Sequence, residues 1–448
     1  MLLLTSVLAC TTPEPRPPDM VVVLVDTLRA DAMGFAGARY AATPNLDRLV
    51  ATEATWFSRS YSGSSWTLAS TATLFSGKPT WEHRVIRDTA DRAHCFGRLP
   101  AHEPNLASRW RQRGYRTGAW INNAFLAPEF GLSAGFDTYD FEGAQLTGHR
   151  TASATVQTAL SWLDAAPDQP ALMVVHLMEP HADYDPGAPF AGAFSADLPA
   201  SITAPLGENL HVGWMTGMLP APDEQDQEFV RALYAEEVLA SDAAIGELIA
   251  GLKERGRWQQ ARFVVTADHG EELWDQGRYE HGHRLNSPVT QVPLIVKAEG
   301  VPAGRNDSVV DATRAAGFLH TGQGWLLDLA RGGEEDPKGF AISEDILYGP
   351  QEVSLVTSDF RVVLGLESRT ATAWRLTDSG YEQAQDLGES EEGKDLVRQA
   401  VGLIERVRGG LEPARPIDPT PVASPDVFQM LRELGYIDAS SRQQGSCQ

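Results

Sequence analysis

The chain is poor in cysteine, short of cations and without a long apolar run. Three cysteines in 448 residues are too few for a disulfide framework, and their pairing cannot be read from the sequence. Lys and Arg number 37 against 60 Asp and Glu, a formal net charge of −23. That balance argues against a nucleic-acid partner, because phosphate backbones are held by Lys and Arg. An anionic substrate would have to be held by local devices: metal ions, helix N-termini and a few Arg and His. No segment reaches the length of a membrane span. There is no internal repeat, and GKPT at Gly77 lacks the spacing of a P-loop.

What is present points to a large α/β protein. The length suits one large domain with an appendage, or two domains. An apolar fraction of 42%, with 11 Trp and 16 Phe, argues against disorder. The N-terminus reads MLLLTSVLAC and then TTPEPRPPD. Val7-Leu8-Ala9-Cys10 resembles a bacterial lipoprotein cleavage site, with Cys10 lipidated and the Pro-rich piece an extended tether. This predicts a lipid-anchored protein of the bacterial cell envelope, periplasmic or surface-exposed.

Buried strands punctuate the chain. Met20–Val25 (MVVVLV) is continuous, apolar and β-branched, the pattern of a fully buried parallel strand. It ends at Asp26, where open α/β sheets place ligands; a capping Asp is the plain alternative. Thr43 as N-cap and Pro44 at the first position open a helix. A strand over Thr55–Tyr61 leads into GSSWTLASTATLFSG, where the spacing predicts a buried helix ending near Gly77. Thr67 therefore sits where strand hands over to helix, beside unpaired N–H groups that favour an anion.

A helix is expected over Glu103–Arg113 and a strand over Tyr115–Ile121, ending at Asn122-Asn123. These read as turn caps or as substrate contacts. A helix over Gly148–Ala165 and a strand over Ala171–Leu177 follow. His176, inside the apolar run, reads as a core histidine; His181, in the loop after Pro180, is the better functional candidate. Ala182–Pro222 is long and Pro- and Gly-rich, which suggests a lid or specificity loop. Asp223–Arg255 is a helix with a core-facing stripe.

The strand at Ala261–Ala267 ends in Asp268-His269-Gly270. A carboxylate and an imidazole there can converge on one ion, and Gly lets the chain turn away. His281-Gly282-His283 and a strand at Val292–Val296 come next. Alternating strands and helices imply a mostly parallel, helix-flanked sheet. After about Gly300 the texture changes. Glu352–Leu366 and Thr372–Leu376 alternate like a small antiparallel sheet, and Ser424-Pro425 opens a final helix to Ile437. The expected organisation is a signal and tether over 1–19, a catalytic domain over 20–330 and a C-terminal α+β subdomain over 331–448.

The ordered set VVVLVDTLRAD, TPNLDRL, SWTLASTATLFSG, GYRTGAWINNAFL, VHLMEPHADYDP, VVTADHGEEL, YEHGH and LRELGY resembles the sulfatase branch of the alkaline phosphatase superfamily. The resemblance covers most of the chain from about Met20. It implies an alkaline-phosphatase-like fold and a set of roles. Asp26, Asp268 and His269, with Thr67, look like metal ligands for a divalent ion. Thr67 falls at the nucleophile position. His181 looks like the histidine that contacts the ester or assists the leaving group. His281 is placed like a later family residue that binds the substrate anion or a metal, His283 is a further substrate-binding candidate, and Asn122 falls where many sulfatases carry a substrate-binding Lys.

Two departures shape the expected chemistry. Formylglycine sulfatases carry Cys or Ser in Cys-x-Pro-Ser-Arg, where this chain reads Thr67-Leu68-Ala69-Ser70-Thr71. Thr cannot follow that oxidation, so the expectation is direct attack by the Thr67 hydroxyl. An Asp-His pair in the metal corner favours zinc or manganese, with calcium possible. Thr27 is a poor replacement for the second carboxylate of other sulfatases. The sequence thus predicts a metal-dependent hydrolase of sulfate, phosphate or phosphonate esters. The alternatives are an envelope transferase of phosphoryl-linked head groups and an inactive sulfatase-fold binding protein.

Overall fold

The β-branched run Met20–Val25 forms strand β1, buried along its whole length. Met20, Val22 and Leu24 enter one hydrophobic cluster, and Val21, Val23 and Val25 enter another. Two apolar faces at a period of two residues define a central strand covered on both sides. The computed structural model describes residues 16–88, 95–144, 150–333, 339–383, 385–417, 419–422 and 424–433. Cys10, Cys447, the charged segment 334–338 and the chain from 434 onward lie outside the described residues.

Seven more strands join β1: β2 (Thr55–Tyr61), β3 (Arg116–Trp120), β4 (Thr138–Asp140), β5 (Ala171–Leu177), β6 (Arg262–Ala267), β7 (Leu294–Lys297) and β8 (Gly304–Asp311). Their order is β8-β2-β7-β6-β1-β5-β3-β4. β7 runs antiparallel to both of its neighbours, and the other pairings are parallel. Helices α1 (Pro44–Thr52), α2 (Thr67–Ser76), α3 (Ala152–Asp164), α4 (Glu224–Glu254) and α5 (Ala312–Thr321) cover the sheet. Leu68 and Ala72 of α2 and Phe318 of α5 pack on one face. Leu46 of α1, Leu160 of α3 and Ile245 of α4 pack on the other. The α/β architecture with a mostly parallel, helix-flanked sheet is the one expected.

A second, smaller sheet follows. β9 (Phe340–Glu344), β10 (Glu352–Thr357), β11 (Phe360–Gly365) and β12 (Ala371–Arg375) form an antiparallel meander. Helix α6 (Glu391–Arg408) lays Leu396, Ala400 and Ile404 against Val353, Leu355 and Val362. Buried Arg361 ties this sheet to the larger one. Its Nε lies 2.9 Å from Glu382 Oε1, and its other nitrogens donate to Thr290 Oγ1 (2.8 Å) and Ser287 Oγ (3.2 Å).

The run Glu352–Leu366 supplies strands of a small antiparallel sheet as expected, turning where Thr357 Oγ1 accepts the N–H groups of Asp359 and Phe360 (both 3.2 Å). Some expectations need correction. The helix at Pro44 starts where expected, but the Thr43 hydroxyl does not cap it. It accepts from Gly34 N (2.8 Å) and donates to Asp47 Oδ1 (2.9 Å). The long segment after Ala182 contains a helix, Glu208–Met215. Among the described residues no helix is long and apolar enough to cross a membrane. Cys95 is disulfide-bonded, and Cys95–Phe96 pairs with Thr420–Pro421.

Candidate active site and metal corner

The candidate site is built at the C-terminal ends of parallel strands, β1 and β6 side by side and β2 beyond β7, the place where open α/β sheets present ligands. β1 ends at Asp26, β6 at Asp268-His269, and β2 leads through Ser62–Trp66 to Thr67 at the first turn of α2. Asp26, Thr67, Asp268 and His269 are all fully buried. His269 Nδ1 lies 2.9 Å from Gly270 O. That bond places the proton on Nδ1 and turns the Nε2 lone pair inward. Nε2 is 3.2 Å from Thr67 Oγ1, 3.4 Å from Asp268 Oδ2 and 3.8 Å from Asp26 Oδ1.

Each carboxylate uses one oxygen within the protein and leaves the other bare. Asp26 Oδ2 accepts from Asn123 Nδ2 (2.7 Å) and faces His176 Nε2 (3.4 Å). Asp268 Oδ1 accepts the backbone N–H groups of His269 (2.9 Å) and Thr27 (3.3 Å). Asp26 Oδ1 and Asp268 Oδ2 are buried and have no hydrogen-bond partner among the described residues. Two buried carboxylate oxygens without a donor are costly unless a cation faces them. With His269 Nε2 they offer three ligand atoms within 4.8 Å of one another. This donor set fits a divalent ion.

The electrostatics agree. Burial raises the proton affinity of Asp26, but His176, His181 and His269 outweigh it and hold the carboxyl well below its ordinary range. Burial, together with the negative Asp26, pushes Asp268 up to about 6. Mutual repulsion of this kind is what a bound cation relieves.

The loops that carry the carboxylates are fastened to each other. Arg29 reaches Asp31 Oδ2 (2.7 Å) and Asp275 Oδ2 (2.7 Å), and donates to Glu271 O (2.9 Å). Tyr234 OH accepts from Arg29 N (3.0 Å) and donates to Thr27 O (2.9 Å). Thr27 itself is left-handed, φ 53°, a strained conformation for a β-branched residue. Gly270 permits a close crossing: a Cβ there would lie 2.2 Å from Pro288 O.

A histidine flank adjoins the corner. The His281 ring is 4.3 Å from that of His269 and 5.2 Å from that of His181, centroid to centroid. His281 Nδ1 bonds Glu271 Oε1 (3.0 Å), and His181 Nδ1 bonds Ala182 O (2.6 Å). His283 stacks on Tyr348 with centroids 5.0 Å apart, and burial pushes it down to about 4.

Two site expectations change. Asn122 is not brought to the corner. Its Nδ2 donates to Thr155 Oγ1 (3.0 Å) and to His176 O, and its Oδ1 accepts from Arg150 (3.3 Å). The adjacent Asn123 is the one that reaches Asp26, because successive residues leaving a strand point to opposite sides. His176 is buried, but not as an inert core histidine: its Nε2 faces Asp26. Its position one residue before the end of β5, level with Leu24 of β1, was the available signal.

A model of the sulfatase family matches residues 18–322, more than half of the chain. The chain belongs to the sulfatase family. An ulvan-active sulfatase of Formosa agariphila is 26% identical over 318 residues, 64% of this chain and 57% of that protein. The chain thus spans little more than half the length of that relative. Among solved structures, a 2-O GAG sulfatase superposes with a TM-score of 0.70 at 16% identity, over 87% of this chain and 92% of that one. A phosphonate monoester hydrolase of Silicibacter pomeroyi gives 0.67 at 19% identity, over 87% and 95%. These likenesses carry the fold.

Proposed function

We propose that the protein is a metal-dependent hydrolase of sulfate, phosphate or phosphonate esters with unmodified Thr67 as nucleophile. The observation that carries this reading is the position of Thr67 Oγ1, 3.2 Å from His269 Nε2 beside two bare carboxylate oxygens. Asp26, Asp268, His269 and Thr67 would hold the cation, and the imidazole favours zinc or manganese over calcium. Bound there, the cation lowers the pKa of the Thr67 hydroxyl and screens the ester oxygens.

The chain's own groups supply the rest. Thr67 lies at N1 of α2, so the first N–H groups of that helix are free of intrahelical partners and face an anion favourably. They take over part of the work of the missing Arg and Lys. Thr67 Oγ forms a bond to sulfur or phosphorus and gives up its proton, the ester O–S or O–P bond breaks, and the leaving oxygen takes up a proton, so that no net proton is gained or lost. His181, whose Nδ1 is held by Ala182 O, would accept the proton released by Thr67 and pass it to the leaving oxygen. Water then attacks the Thr67 ester and releases sulfate, phosphate or phosphonate. Glu271 fixes the His281 ring through Nδ1 between those of His269 and His181, where it would contact the ester or the cation. Arylsulfatase, phosphodiesterase and phosphonate-ester assays on metal-loaded protein test the reading, with Thr67→Ala as control. No turnover on any ester contradicts it.

We also propose anchoring at the cell envelope through Cys10. The Val7-Leu8-Ala9-Cys10 motif supports it. Cys10→Ser should move the protein from the membrane to the soluble fraction; unchanged fractionation contradicts the anchor.

A further inference from the structure

The residue before the nucleophile is held by the other subdomain. Trp66 is the N-cap of α2, extended at φ −154° and ψ 157°, and its side chain makes no capping bond. A Ser, Thr, Asp or Asn there would fix the first turn by itself; Trp cannot. Its indole is fully buried between Phe125 (5.2 Å, edge-on) and Phe96 (6.1 Å). Its Nε1–H donates to Asp345 Oδ2 at 2.7 Å. Asp345 directly follows β9 of the small sheet, is buried, and has φ 76°, a left-handed conformation that is strained for a non-glycine residue.

The bond is one of a row. Ser343 Oγ donates to Ser62 O (2.6 Å), Glu344 N to Gly63 O (2.9 Å), and Ser64 Oγ to Asp345 O (2.9 Å). Every residue of the stretch 343–345 is therefore bonded to the segment 62–66. The same turn continues to Tyr348, whose N–H donates to Gly282 O (2.8 Å), while Gly282 N donates to Ser65 O (3.0 Å). The loop carrying His281 and the loop carrying Thr67 are pinned by one turn.

From this geometry we infer that Asp345 is a positioning residue for Thr67, acting through Trp66, so that the small C-terminal sheet completes the active site. The inference rests on Thr67 being the nucleophile. A displacement of about 1 Å at a reacting atom costs on the order of 100-fold in rate. Asp345→Ala should therefore lower kcat about 10- to 100-fold with KM little changed. Asp345→Asn keeps an acceptor for the indole and should stay within about 3-fold of wild type. Hydrogen exchange of a peptide covering 66–76 gives a second readout independent of turnover. It should quicken in Asp345→Ala and not in Asp345→Asn. Arg361→Met, a buried contact between the sheets away from Trp66, is the control: lower stability with kcat retained. Unchanged exchange and kcat in Asp345→Ala, or an Asn variant as impaired as the Ala variant, overturns the inference. A wild type inert on every ester contradicts the hydrolase reading, and the exchange comparison then still decides the role of Asp345.

Discussion

The metal corner and the histidine flank lie side by side and use their polar atoms differently. At the corner, Asp26 Oδ1 and Asp268 Oδ2 are buried and bare. On the flank, Glu271 and Ala182 O already hold the Nδ1 atoms of His281 and His181. The corner sits on strand ends whose register is fixed by the sheet, and the flank sits on loops. Bare carboxylate oxygens at strand ends suit a permanent cation; the flank imidazoles, like that of His269, are oriented through Nδ1. On the proposed mechanism, the corner would set whether reaction happens and the flank how fast each leaving group departs.

Thr67→Ala is the strongest way to break that contrast. Turnover should fall by about 10⁴-fold or more while the cation stays bound, because Asp26, Asp268 and His269 remain; a metal assay beside the kinetics checks both halves. His181→Asn sharpens the contrast. It should lower kcat/KM about 100-fold for esters with poor leaving groups and much less for nitrophenyl esters. Equal losses on both would remove the flank from leaving-group chemistry. Asn123→Ala removes the donor to Asp26 Oδ2 and should weaken cation affinity about 10- to 100-fold, read by competition with a chromogenic chelator.

The smallest expected effect is on the pH dependence of stability. Asp268 is pushed up to about 6 by burial and by Asp26, above its unfolded value near 3.9. The folded metal-free protein therefore keeps a proton that the unfolded chain releases, and stability falls as pH rises from about 4 to 6. Melting temperatures of metal-free wild type minus Asp268→Asn should drop across that window, and added zinc should abolish the drop. A flat difference would mean that the two carboxylates do not repel.

The sequence was legible where local pattern and tertiary burial agree. β1, β2 and β5 are continuous apolar or β-rich runs, and their bounds match the sheet because both faces are buried. Asp26, Thr67, Asp268 and His269 were readable since each closes a strand or opens a helix. β8 was not, because its first half, Gly304–Asp307, is polar and lies at the sheet edge. α6 is hard to read in the sequence because its charged faces mask a narrow stripe at Leu396, Ala400 and Ile404. Choosing between Asn122 and Asn123 needs the direction of each side chain beyond β3. The role of Asp345 depends on a contact 279 residues away in sequence, which no local pattern carries.

The central claim is that unmodified Thr67 is the nucleophile. Intact-mass and peptide mass spectrometry of metal-loaded protein, acid-quenched during turnover of an activated ester, tests it directly. The account predicts one sulfuryl, phosphoryl or phosphonyl group on the peptide containing Thr67, unmodified threonine in the resting enzyme, and no labelled peptide in Thr67→Ala. Turnover that persists in Thr67→Ala, or a label on a different residue, would contradict it.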